Sequence, residues 1–167
     1  MCDDALERLN SAKYVYLREL SEPRDNSLRL VLEEAVSNHA GVRGLPNVEL
    51  SSELQHILRE AVPIEPVEGC AVFELYWKRY VAYLVTEECV GSCGSKECAD
   101  ESYTGRILRS YGKSHFLDHI ARDTGGHFET VLHHKVICLN HLIDVAAYAP
   151  PDVRVLALQG SPHSQNQ

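Results

Sequence analysis

Two residue types carry most of the chain's chemical reach, its six cysteines and nine histidines. Cys89, Cys93 and Cys98 follow a C-x3-C-x4-C spacing inside a stretch that also holds glycines. Thiolates gathered by such a loop are zinc ligands, and zinc asks for four N or S donors in a tetrahedron. The fourth donor would come from Cys70, Cys138 or a histidine. The spacing is not the paired C-x2-C of zinc ribbons and knuckles, so an exposed loop with tolerated, reduced thiols is the competing reading. His115 and His119 stand four apart on a predicted helix and so share one face, a spacing compatible with metal. Phe116 occupies the place where the zinc-protease signature needs Glu, and Asp118 and Arg122 fit a solvated polar face. Zinc is therefore the one metal the sequence offers, and otherwise no cofactor is expected.

A carboxylate beside an imidazole is the minimal unit of general acid–base catalysis. The candidates are Glu74 and Glu87, on strand-like segments, with His134 and His141 on the run 132–148. That run reads as one long strand whose odd positions, Ile137, Leu139, Ile143, Val145 and Ala147, are apolar with His141 among them. His134, Asn140 and Asp144 fall on the even side. A lone imidazole on an apolar face is more commonly a hydrogen-bonded core histidine. The chain carries no G-x-S-x-G, P-loop, dinucleotide or kinase motif. Ser114 and His115 are adjacent on a predicted helix and point apart, so they form no dyad. The balance leans away from an enzyme.

The elements that must position these groups follow from periodicity. An acidic start before Ala5, Leu6 and Leu9 predicts a short helix over 3–12. Strands are predicted at 13–20, 28–36, 70–77, 80–88, 106–111, 132–148 and 153–158 from β-branched and aromatic density or alternation. The segments 28–36 and 73–88 also fit a helical template. Ser51 or Ser52 caps a predicted short helix carrying Leu54, Ile57 and Leu58. Ser114 caps another with a Phe116, Leu117, Ile120 and Ala121 stripe, ended by Gly125-Gly126. The absence of strand–helix alternation predicts an α+β fold, a mainly antiparallel sheet of five or six strands with two or three short helices, as a single layer or small sandwich. One domain is expected over 1–158, followed by a flexible polar tail at 159–167.

The chain has 167 residues, 24 acidic against 16 basic, and a net charge of −8. That charge disfavours a nucleic-acid backbone or an anionic membrane as partner, and the only local basic clusters are Lys78-Arg79 and Arg106, Arg109 and Lys113. No long apolar run or leader-like segment is read in it, so a cytoplasmic protein with reduced thiols is expected. Tyr76, Trp77, Tyr80 and Tyr83 form an aromatic segment followed by Glu87 and Glu88. Tyr76, Tyr80, Tyr83, Glu87 and Glu88 are the candidate interface residues. The general look is similar to that of many small bacterial immunity-type domains, although no specific motif carries it and no residue role is transferred. The leading expectation is thus an immunity- or inhibitor-type module that binds and neutralises a basic protein such as a toxin or nuclease. A zinc- or ligand-binding domain, extending to a hydrolase with a Glu/His group, is the alternative. A homodimer through the aromatic segment would read the same.

Overall fold

The computed structural model describes residues 2–38, 62–89, 100–126 and 130–158. Within them the chain runs α1 (Cys2–Ser11), β1 (Tyr14–Ser21), β2 (Leu28–Ser37), β3 (Ile64–Glu65), β4 (Ala71–Trp77), β5 (Tyr80–Glu87), β6 (Ser102–Thr104), β7 (Leu108–Lys113), α2 (His115–Asp123), β8 (Leu132–Ile137), β9 (His141–Ala147) and β10 (Asp152–Leu158). Every strand pairing is antiparallel. One sheet has the order β1-β2-β4-β10, with β3 also pairing β2, and the other has the order β5-β9-β8-β7-β6. The α+β class with mainly antiparallel sheet is as expected, and the described residues form ten strands in two sheets where five or six strands were expected. No described helix is long and apolar enough to cross a membrane.

The ambiguous segments 28–36 and 73–88 are strands because alternation beats the helical stripe once the other sheet supplies a partner. Leu28, Leu30 and Leu32 of β2 and Phe73, Leu75 and Trp77 of β4 all lie in the core. Facing them from the second sheet are Leu108, Val136, Ile143, Val145 and Ala147. Each fully buried side chain of this size contributes about 1.5–3 kcal/mol of transfer free energy. The helix predicted over Ser51 to Leu58 lies outside the described residues, as does the tail at 159–167.

The largest correction concerns 132–148. It is a hairpin, β8 and β9, turned at Leu139-Asn140 and closed by Cys138 N–H donating to the His141 carbonyl at 2.9 Å. Asn140, whose φ is not in the left-handed region, has its side chain held by β1. Its Oδ1 accepts Leu17 N–H at 2.9 Å and its Nδ2 donates to Leu17 O at 3.0 Å. The pairs His133↔Ala146, Lys135↔Asp144 and Ile137↔Leu142 each match an odd residue with an even one. Side-chain parity therefore flips across the turn.

Helix α1 packs against β10 and β7, burying Leu9. The Asn10 side-chain oxygen accepts backbone N–H groups from Arg106, Ile107 and Leu108 at 3.0, 2.9 and 3.0 Å. The Arg106 guanidinium returns two bonds to the carbonyls of Ala12 and Lys13. Gly105 enables this crossing with φ +86°, and a Cβ there would stand 2.1 Å from the Leu108 carbonyl oxygen. Gly105→Ala is expected to cost about 2–4 kcal/mol in urea unfolding, from the positive φ and the clash together.

His134 sits on the inner face, 2% exposed, its ring 6.2 Å from Trp77. Desolvation, with help from neighbouring His133, pushes its pKa down to about 4 from 6.5. The unfolded chain therefore holds the extra proton between these values, and stability is present above pH 6.5 and lost as pH falls toward 4. This histidine is expected to give stability a rise of about 3 kcal/mol across that window. Replacing it in His134→Leu should flatten the rise in urea melts run at several pH values.

Candidate functional site

Directly opposed residues of antiparallel strands share a face, so the register of the second sheet can be read row by row. On the face turned away from the core, Leu84, Asp144, Lys135 and Arg109 form one row across β5, β9, β8 and β7. The next row runs Ala82, Ala146, His133, Tyr111 and Tyr103, ending on β6. Thr86, Leu142 and Ile137 form a third. One face thus collects two cations, a carboxylate, an imidazole and two tyrosines.

Helix α2 lies over the imidazole. It begins at Ser114 because that residue has extended dihedrals and its Oγ accepts Leu117 N–H at 3.1 Å, satisfying one of the helix's orphan donors. Phe116, Leu117 and Ile120 of its apolar stripe are half-buried. Ser114 Oγ lies 2.7 Å from His133 Nδ1, and His133 Nε2 lies 2.8 Å from Asp144 Oδ1. Lys135 Nζ stands 3.3 Å from the other Asp144 oxygen. A carboxylate can only accept, so Nε2 carries a hydrogen and donates to Asp144, while Nδ1 and the Ser114 hydroxyl share the second bond. Tyr111 stacks on the ring at 4.3 Å and 23°, and Phe116 packs at 5.0 Å. Ser114, His133 and Asp144 are all buried.

Serine, histidine and aspartate are also the parts of an acyl-transfer triad, but their use here differs. The hydroxyl is buried, holds a helix N-terminus, and meets Nδ1 while the carboxylate meets Nε2. What this chain of bonds does is fasten α2, which has no buried residue of its own, to the sheet.

Beside the fastening lies a cavity of about 490 Å³. Ile137 and Leu142 give it an apolar floor, and Arg109, Tyr111 and Lys135 continue from the rows just described. Tyr103 comes from β6, Lys13 and Tyr14 from the start of β1, Arg106 from the approach to β7, and Glu88 and Glu101 from the rim. Arg109 lies over the Tyr103 ring at 4.3 Å, and its buried Nε has no hydrogen-bond partner among the described residues. Burial raises the Tyr111 phenol, opposed by a hydrogen bond from Arg109. Cys138 also lines the cavity, its thiol pushed up to about 12 by desolvation, which keeps it protonated and unreactive.

The residues singled out from sequence are scattered. Glu74 lies on the first sheet, opposite in face to Phe73 and Leu75, and is held by Arg29 at 2.6 Å. His134 and His141 share the inner face of the second sheet, with the Val136–Ile143 row between them. Glu87 is exposed and stands opposite His141 in register. The structure therefore does not bring Glu74 to His134 and His141. Tyr80 and Tyr83 are half-buried against the core, edge to face at 5.1 Å, and the Tyr83 hydroxyl donates to Glu22. Tyr76 is half-buried, and Glu88 is exposed. His115 is exposed and 2.7 Å from Asp100, whose carboxyl is held down to about 2 by Lys113 and then by His115. His119 is exposed, 3.4 Å from Asp123. Cys89 is exposed, Cys70 is buried, and Cys93 and Cys98 lie outside the described residues. Among the described residues no three His, Cys, Asp or Glu side chains are grouped to hold a metal.

His133, Lys135 and Asp144 escaped sequence reasoning because an unbroken strand puts His133 and Asp144 on opposite faces. Asn140 is the signal that would have found them, since a turn residue there flips parity. No family model, curated protein or solved structure matches the chain. The geometry itself is testable. Asp144→Ala strips the acceptor from both His133 and Lys135 and is expected to cost about 3–5 kcal/mol. Ser114→Ala loses the helix cap and the hydrogen-bond partner of His133 Nδ1, an expected cost of about 1–2 kcal/mol in the same denaturant titration.

Proposed function

We propose that this is a binding domain whose outer-face cavity takes a small anionic ligand. The observation that carries the reading is the gathering of Lys13, Arg109 and Lys135 around one cavity in a chain of net charge −8. Lys135 is offset by Asp144 at 3.3 Å, while Lys13 and Arg109 add like charge beside it in a partly desolvated basin, and an anion relieves that excess. The volume lies within the range of about 300–1,000 Å³ usual for small-molecule sites, and an apolar floor with a few converging polar groups is their usual chemistry. Arg106 contributes charge while its guanidinium is committed to the Ala12 and Lys13 carbonyls.

The test is calorimetric titration with inorganic phosphate and sulfate at constant ionic strength, with chloride as reference. Saturable binding that falls at least tenfold in the Lys13→Gln/Arg109→Gln double variant is expected. Equal, non-saturating heats for all three anions would contradict the reading.

A second reading, the immunity- or inhibitor-type module for a basic protein, is favoured by a different observation. Among the described residues strand β5 ends its sheet, and Leu84 and Val85 are exposed on it at 51% and 38%, followed by the exposed carboxylates Glu87 and Glu88. Open edges with exposed apolar residues are places where other chains pair, and the acids favour a basic one. If that reading holds, a Glu87→Lys/Glu88→Lys variant should retain fewer basic proteins of its own cell extract at low salt. Retention of an identical set would count against it.

A further inference from the structure

We propose that the ligand of the outer-face cavity is a nucleoside phosphate, an inference that rests on the anion-binding reading above. Three features of the lining go beyond what a bare anion needs.

The first is charge. Lys13, Arg106, Arg109 and Lys135 outnumber Glu88 and Glu101 around the cavity, and with Lys135 also paired to Asp144 an excess of 4 − 3 = +1 remains. A phosphate monoester, an anion at neutral pH, offsets that excess. The chain's overall −8 disfavours a nucleic-acid polymer, whose charge extends far beyond the cavity. A mononucleotide carries its charge at one point, where the cations are.

The second is aromatic surface. Tyr103 is 49% exposed on the short edge strand β6, with its ring centroid 5.3 Å from that of Tyr111. The Arg109 guanidinium plane is held over Tyr103. Guanidinium and tyrosine faces are the surfaces on which nucleobases stack, a contact of about 1–3 kcal/mol per base. Nothing in the binding of phosphate or sulfate alone uses them.

The third is the pair of carboxylates. Glu88 and Glu101 repel an anion and would weaken a site built only for one. Their oxygens accept hydrogen bonds, and the amine and ring N–H groups of a base are donors of the matching kind. Among the described residues, Glu101 Oε1 accepts His115 N–H at 2.8 Å and Glu88 Oε2 lies 3.7 Å from Cys89 Sγ. The lining thus offers cations for a phosphate, aromatic faces for a ring and carboxylate acceptors for the ring's N–H groups. Its volume of about 490 Å³ suits a molecule with all three parts and greatly exceeds an inorganic anion.

The experiment is calorimetry of the full chain against AMP, GMP, CMP and UMP, beside ribose 5-phosphate, phenyl phosphate, adenosine and inorganic phosphate, all at one ionic strength. At least one nucleotide is expected to bind about tenfold or more tighter than ribose 5-phosphate, phenyl phosphate and adenosine. Tyr103→Leu should bring every nucleotide down to the affinity that ribose 5-phosphate shows for the same variant. Ribose 5-phosphate or phenyl phosphate binding as tightly as every nucleotide overturns the inference while leaving an anion site. Failure of every phosphate to bind overturns both readings together.

Discussion

The β8–β9 hairpin turns without glycine or proline, and the rest of the molecule is arranged around that turn. Leu139-Asn140 reverses the chain, and the Asn140 amide bonds both backbone groups of Leu17 in the opposite sheet. The turn does two things at once. It ties the second sheet to the first where their cores meet, and it sets a register in which odd residues of β8 share a face with even residues of β9. One residue of slip would carry Lys135 and His133 into the core and Val136 out of it, so the hydrophobic pattern enforces the register. The polar face is thereby a consequence of how the apolar face is packed.

From that register follows the division of labour on the outer face. Asp144 is shared, taking His133 on one oxygen and Lys135 on the other. The His133 side of the network is spent on structure, fixing the N-cap of α2. The Lys135 side opens on the cavity. A buried carboxylate with one imidazole and one ammonium is satisfied in both directions, which is the condition under which such groups are tolerated inside a protein. It also couples the wall of the cavity to the helix beside it through one side chain.

Much of the frame was legible in sequence. The helix before Tyr14, the strands β1, β2, β4, β5 and β10, and the Ser114 cap with its Phe116, Leu117 and Ile120 stripe follow from local periodicity and capping chemistry, which act over a few residues. The site was not legible, and the reasons are physical. Alternation tells which residues share a face only while the strand continues, and Asn140 broke it without Gly or Pro. Lys13, Tyr103 and Glu88 reach the cavity from three distant segments, a placement set by sheet order. Glu74 alternates as expected, but its sheet turns that face away from the histidines, and Arg29 takes its carboxylate.

The central claim is that the cations of the outer face are arranged around a ligand. An amide-resolved NMR titration of the full chain with inorganic phosphate, at constant ionic strength, tests it most directly. Saturable shifts concentrated on Lys13, Arg109, Tyr111 and Lys135, with β1's far end and β10 unmoved, are expected. Shifts that fail to saturate, or that gather elsewhere on the surface, would contradict it.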